Sequence, residues 1–279
     1  MAMNYIGLDD FLLSALKEDL GTGDITTNSC IPADATSVGQ FRAKEAGVVC
    51  GIDVLIRVFY LVDPTVKVEV LAYDGTFVNV GDIIATITGP SRSILSGERV
   101  ALNLIQHMSG IATATAKAVK AVEGTKARIT DTRKTTPGLR VLEKYAVKAG
   151  GGANHRFNLA DGVLIKDNHI AAAGSITAAV EMTRNNIPHT LKIEVETETM
   201  EQVAEAVAAG ADIIMLDNMS NEQMAEAVQF IAGRALTEAS GNMGQRDLLP
   251  VAKTGVDIIS IGSLTHTVQA LDISLKFDK

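Results

Sequence analysis

The chain has 279 residues, 47% of them hydrophobic and 21% charged, an ordinary globular composition with length enough for a substantial core. Its net charge of −8, from 33 acids and 25 bases, argues against a general nucleic-acid binder, whose surface is basic. Two cysteines, Cys30 and Cys50, exclude a disulfide-stapled miniprotein. Neither has a second Cys or a His at zinc spacing, and two free thiols fit a reducing cytosol. No apolar run reaches the roughly 18 residues of a membrane span. The opening stretch, MAMNYIGLDDFLLSALKEDL, mixes acids with apolar residues, lacks a basic leader region and does not read as a signal peptide. The expected location is therefore cytoplasmic.

Apolar residues at 8, 11, 12, 13, 16 and 20 predict a helix from Leu8 to Leu20, stopped by Gly21 and Gly23. From about Val38 to Gly89, the runs VGQFRA, GVVCGI, VKVEVLAY, TFVNV and DIIATITG read as short strands, separated by turns such as Asp74-Gly75 and Gly81-Asp82. They predict a small, mostly antiparallel domain with one or two helices. Residues 73–89 have the look of a biotinyl or lipoyl carrier module. Their hairpin turn holds no lysine, so they read as an architectural element. Ser96 to about Val122 predicts a long helical stretch interrupted at Ser109-Gly110.

From Arg128 the pattern changes. ARITDT, GVLIKDN, LKIEVET, DIIMLDN, ALTEAS and DIISIG are short apolar runs with helical patterns between most of them. Strands apolar throughout are buried on both faces, as parallel strands are. Repeated β/α units predict a (β/α) barrel or a doubly wound sheet, and the absence of GxGxxG after the first strand weighs against the dinucleotide-binding version. The tail, LTHTVQALDISLKFDK, reads as a short helix plus a strand.

In such folds the chemistry gathers where strands end. The ends here carry Asp131, Arg133 and Lys134; Lys166 to His169; Glu194 and Glu196; Asp217 and Asn218; Glu238, Ser240 and Gly241; and Gly262. Asp217, Asn218 and Ser240 are also candidates for helix caps. Glu194 and Glu196 share one strand face, but the pattern leaves open whether that face points inward. A carboxylate there, with Asp217 on the next strand, can hold Mg2+ directly or through water. Ser240-Gly241-Asn242 and Gly262-Ser263 suit a phosphate cradle of backbone N–H groups. Between Arg133 and Lys166 there are seven Lys/Arg against two acids, a cationic concentration that suggests an anionic small ligand. GGGANHR, 150–156, reads as a flexible run that closes on a ligand with His155 and Arg156.

The chain resembles the quinolinate phosphoribosyltransferases essentially end to end. The resemblance rests on EDLGTGDITT (18–27), SGERVALN (96–103), SGIAT (109–113), TRKTTPGLRVLEKYAVKAGGGANHR (132–156), LIKDNH (164–169), KIEVE (192–196), IIMLDN (213–218), EASGN (238–242) and DIISIG (257–262). Met108 and Thr267 depart from the familiar Leu and Ser. The resemblance implies an α/β fold: an N-terminal α/β sandwich over 1–105, rejoined by the tail 266–279, and an incomplete (β/α) barrel of fewer than eight strands over 106–265. It implies transfer of phosphoribose from 5-phosphoribosyl-1-pyrophosphate to quinolinate with loss of CO2, giving nicotinate mononucleotide for NAD biosynthesis, with Mg2+ as cofactor. It also implies a homodimer in which Arg99 reaches the neighbour's site, with a hexamer (a trimer of dimers) as a further assembly; neither nucleic acid nor membrane is an implied partner. The roles it implies place Arg133, His155, Arg156 and Arg99 at the quinolinate carboxylates, alongside Thr132. Lys134 and Lys166 bridge the two substrates, and Glu196 and Asp217 contact ribose and Mg2+. Ser240, Gly241, Asn242, Ile261, Gly262 and Ser263 form the 5-phosphate cradle. Two other enzymes remain open on the residues alone: a Schiff-base aldolase using Lys134 or Lys166, and a phosphoribosyltransferase for a different acid.

Overall fold

The computed structural model describes residues 6–278; residues 1–5 and 279, which end the expected first domain and its tail, lie outside the described residues. In chain order the elements are α1 (Leu8–Leu20), α2 (Ile25–Cys30), β1 (Thr36–Ala43), β2 (Gly47–Val48), α3 (Ile52–Val62), β3 (Lys67–Val70), β4 (Phe77–Val78), β5 (Ile83–Pro90) and α4 (Ser91–Ala121). Then come β6 (Arg128–Thr130), α5 (Arg140–Ala149), β7 (Val163–Ile165), α6 (Asp167–Ala173), α7 (Ile176–Asn186), β8 (Ile193–Thr197), α8 (Met200–Ala208) and β9 (Ile213–Asp217). The chain closes with α9 (Asn221–Ile231), β10 (Leu236–Ser240), a 3-10 turn (Met243–Gln245), α10 (Leu248–Lys253), β11 (Ile258–Ser260), α11 (Ser263–His266) and β12 (Ile273–Phe277). These elements sort into two compact units. One takes the chain up to Ala116, together with Thr136–Gly151 and the tail from Thr267; the other takes Lys117–Thr135 and Gly152–His266. The boundary placed at residue 105 falls inside α4.

The first unit is built on an antiparallel sheet of order β12-β1-β5-β3. β1 alternates toward its end, burying Phe41 and Ala43 between less buried neighbours, which gives the sheet one core face. Against it packs α3, whose Phe59 ring meets Phe41 with centroids 6.0 Å apart. Tail strand β12 pairs with β1, Phe277 opposite Gly39. The carrier-like stretch serves architecture. The Asp74 carboxylate accepts from the N–H groups of Gly51 and Ile52 at 2.9 and 3.0 Å, capping α3, and from the Tyr145 hydroxyl of α5 at 2.7 Å.

α4 runs unbroken through Ser109-Gly110, against expectation. Both residues serve close packing. The Ser109 hydroxyl accepts from the Cys50 N–H at 2.9 Å. A Cβ on Gly110 would lie 2.1 Å from the Gln269 carbonyl oxygen, so the glycine admits the tail's backbone.

The second unit is an open parallel sheet of order β6-β11-β10-β9-β8-β7. With six strands it does not close into a barrel, and all its strands end on the same edge. Helices α7, α8, α9 and α10 start at side-chain caps. Ser175, Thr199, Ser220 and Asp247 accept from the N–H groups of Ala178, Gln202, Gln223 and Leu249. Caps are thus supplied by other residues, which leaves Asp217, Asn218 and Ser240 free of that duty. No helix among the described residues is long and apolar enough to cross a membrane.

Gly110→Ala tests the close approach. Overpacking against backbone costs about 1–3 kcal/mol or more, against a gain of ~1 kcal/mol in helix propensity. The expected outcome is a net loss of stability, read as a lower midpoint in denaturant unfolding.

Candidate active site

A cavity of about 400 Å3 opens at the C-terminal edge of the second unit's sheet. It is lined by residues from the ends of all six strands, among them Thr132, Lys166, Glu196, Asp217, Ser240 and Ser260. Arg133, Lys134, His155 and Arg156 enter from the loops after β6 and before β7. Of the seven clustered cations, these four (Arg133, Lys134, Arg156 and Lys166) meet here; Arg140, Lys144 and Lys148 belong to α5 of the first unit. Arg99 also lies in the first unit, exposed on α4.

The face of β8 left open by its pattern points into the site. Glu196 accepts a hydrogen bond from the Lys166 ammonium. Glu194, two residues earlier, lies 3.1 Å from the His155 ring through its Oε2. Lys166 is itself fixed at the start of α6, where its N–H donates to His169 Nδ1 at 3.0 Å. His169 therefore orients the lysine's backbone.

The segment before β7 is pinned, against its reading as a flexible run. The Ala153 N–H donates to Ile129 O at 2.8 Å, and the Ala153 carbonyl accepts from the Asp131 N–H at 3.3 Å, so the segment pairs with the edge of β6. Asp131, fully buried, accepts from Asn154 Nδ2 at 2.6 Å and from the His155 N–H at 2.8 Å. The Arg156 N–H donates to His155 Nδ1 at 2.8 Å. His155 Nδ1 is therefore an acceptor and Nε2 carries the proton, aimed at Glu194 and, at 3.5 Å, at Glu238 Oε2. Both ring nitrogens of His155 thus have partners within the protein, while the residue also lines the cavity.

Two electrostatic tensions mark the cavity. Arg156 is partly buried, and its guanidinium is pushed down from its ordinary value by that burial first and by the charge of Arg133 second, while Glu194 pulls it back up. Two guanidiniums crowded in one cavity call for an anion between them. On the floor, Glu238 is pushed up to about 8, first by burial and then by the charge of Glu194, with His155 opposing. Burial and the neighbouring acid therefore favour the protonated form of Glu238.

A second hollow of about 250 Å3 adjoins the first and shares Thr132, Lys134, Asp217, Ser240 and Ser260 with it. Gly241, Asn242, Gly244, Gly262 and Ser263 line it. Gly241 sits at φ 93°, where a Cβ would strike Asn218 Oδ1 at 2.3 Å, and Asn218 and Asn242 are also left-handed. Among the described residues, nothing accepts from the N–H groups of Gly241, Asn242, Met243 and Gly244, which leaves a nest suited to an anion. Ile261 stands apart: its side chain is buried and its N–H is spent on Thr130 O at 2.9 Å.

Of the residues given a role at the site, all but Ile261 and Arg99 thus line one hollow or the other, whereas the strand-end residues Asp131, Asp167, Asn168, His169 and Glu194 line neither. Sequence reasoning named Asp131 and Glu238 only as polar strand ends, weighed Glu194 only as a carboxylate sharing a face with Glu196, and missed their joint hold on His155. The one available signal was the two-residue spacing of Glu194 from Glu196.

The chain is 47% identical over 273 residues to a probable nicotinate-nucleotide pyrophosphorylase [carboxylating] of Bacillus subtilis (strain 168), covering 98% of this chain and 94% of that relative. Among solved structures it is similar to NadC from Streptococcus pyogenes, with a TM-score of 0.92 and 44% identity over the whole of both chains. It is also similar to the nicotinate-nucleotide pyrophosphorylase of Francisella tularensis, with a TM-score of 0.94 and 38% identity over 100% of this chain and 99% of that one. The family description "Quinolinate phosphoribosyl transferase, N-terminal domain" matches residues 24–109 and the corresponding C-terminal domain matches residues 111–276, so the chain belongs to the quinolinate phosphoribosyltransferase family.

Proposed function

We propose that this chain transfers the phosphoribosyl group of 5-phosphoribosyl-1-pyrophosphate to the ring nitrogen of quinolinate and releases pyrophosphate, CO2 and nicotinate mononucleotide. The observation that carries the reading is the pairing of two crowded guanidiniums, Arg133 and Arg156, with a neighbouring glycine-lined nest of unused N–H groups. The first suits a dicarboxylate and the second a phosphate. Lys134 lines both hollows, as a residue bridging the two substrates would.

In this reading Arg133 and Arg156 fork onto the carboxylates and fix the ring for in-line attack by its nitrogen. Pyrophosphate departure builds positive charge at the anomeric carbon, which Glu196 and Asp217 offset, while Lys134 and Lys166 face the leaving anion. The ring nitrogen, once ribosylated, is cationic and accommodates the electron pair left when CO2 departs. Glu196 and Asp217 are hard oxygen donors lining one cavity, a set that fits Mg2+ held directly or through water. When bound, the ion supplies charge neutralisation for the pyrophosphate. The family resemblance supports a homodimer whose Arg99 completes the neighbour's site, and exposed, unpaired Cys30 supports a reducing, cytoplasmic setting.

Three outcomes follow from this reading. Purified protein with quinolinate, phosphoribosyl pyrophosphate and Mg2+ forms nicotinate mononucleotide and CO2 in equal amounts, and forms none when nicotinate replaces quinolinate or when a chelator removes the metal. Arg133→Ala loses about 2–4 kcal/mol of a charge-assisted contact, about 30- to 1,000-fold in kcat/KM for quinolinate, with the unfolding midpoint little changed. Gly241→Ala distorts the nest, so KM rises for phosphoribosyl pyrophosphate and holds for quinolinate.

A further inference from the structure

A third cavity of about 470 Å3 lies at the opposite edge of the same sheet, where the strands begin, lined by Arg128, Thr190, Lys192, Ile213 and Ile258 among others. Three residues line both this cavity and the substrate-sized one: His155, Arg156 and Glu238. They form a septum across the interior of the sheet. Glu238 is only 1% exposed, and it faces a second buried acid, Glu194; the Oε1 of each has no donor within the protein among the described residues, so the two can share a hydrogen bond only when one carries a proton. Buried carboxylate oxygens are ordinarily satisfied. A buried pair of acids that needs a proton, set between two cavities, calls for a chemical reason.

The reaction supplies one. This inference rests on the function proposed above. When CO2 leaves the ribosylated ring, the C2–carboxylate bond breaks and its electron pair stays on C2. Nicotinate mononucleotide carries hydrogen at that carbon, so a proton must arrive. We infer that Glu238 is the catalytic acid of the decarboxylation half-reaction, giving its carboxyl proton to C2, with His155 and Glu194 as its positioning residues. The O–H bond of Glu238 breaks as the C2–H bond forms, so the ylide is discharged and Glu238 is left as a carboxylate. The His155 Nε2–H, 3.5 Å away, stabilises that anion, and water in the third cavity returns the proton. The groups facing Glu238 are Glu194 from β8, His155 from the loop before β7 and Ser260 from β11, with the charges of Arg133 and Arg156 in the shared cavity. Burial and the Glu194 charge favour the protonated acid. Without the donor, CO2 recombines with the carbanion, and net decarboxylation slows.

Glu238→Gln keeps the shape and removes the acid. In single turnover with quinolinate, phosphoribosyl pyrophosphate and Mg2+, the expected result is pyrophosphate release at an unchanged rate and CO2 release slower by about 100-fold, with the dicarboxylate nucleotide accumulating. The reverse step gives an independent readout: unmodified protein exchanges the C2 hydrogen of nicotinate mononucleotide with deuterium oxide, Glu238→Gln does not, and Glu238→Asp partly restores exchange. Unchanged CO2 release in Glu238→Gln overturns the assignment. An equal loss of pyrophosphate and CO2 also overturns it, since that marks a holding role. Should Glu238→Gln fail to fold, exchange by the unmodified protein decides, and its absence overturns the inference. Unmodified protein that releases no pyrophosphate from quinolinate overturns the functional reading itself, a separate result.

Discussion

Charge crowding in a partly closed space governs this protein's second unit. Arg133 and Arg156 are pressed together, Glu194 and Glu238 likewise, and His155 stands between the acids and the backbone of Arg156. None of these side chains would be tolerated singly in such a place, because an uncompensated buried charge costs several kcal/mol. Together they are tolerable: the acids offset the guanidiniums, and a proton on Glu238 removes one charge. The sheet makes this possible. Parallel strands set Glu194 and Glu196 on one face, and strand pairing of β10 with β9 and β11 brings Glu238 into the same interior.

The same electrostatic balance separates the two jobs of the site. One hollow is lined with side-chain cations and the adjoining one with glycines. A planar dicarboxylate is best read by rigid guanidinium forks, whereas a phosphate is well held by a curl of N–H groups without mobile side chains. Thr132, Lys134, Asp217, Ser240 and Ser260 line both hollows, so the junction carries one cation, one carboxylate and three small hydroxyl groups.

Much of this was legible in the sequence, for definite reasons. The parallel strands announced themselves because both faces are buried, and their ends carried the polar residues that line the cavity. The glycines at 241 and 262 stood out as places where backbone comes close to a ligand. Other features were invisible. Period-two alternation fixes that Glu194 and Glu196 share a face but not which way it points; that depends on where helices pack. GGGANHR reads as flexible because glycine is permissive, yet pairing of Ala153 with β6 and the carboxylate of Asp131 hold it. Ser109-Gly110 reads as a helix break, although the glycine's partner is a carbonyl at Gln269, far along the chain. In each case the deciding contact is non-local, and local pattern carries no trace of it.

The placement of β12 bears on how the chain is made. During synthesis from the N-terminus, β1 emerges early and pairs with β5, but its other edge stays bare until β12 is out. For most of translation the nascent first unit exposes an open strand edge, a template for pairing with other chains. The second unit's sheet, by contrast, is complete once β11 is out. The unit whose strands come first is therefore completed after the other, and removal of β12 alone should let the chain aggregate through β1 rather than merely lose stability.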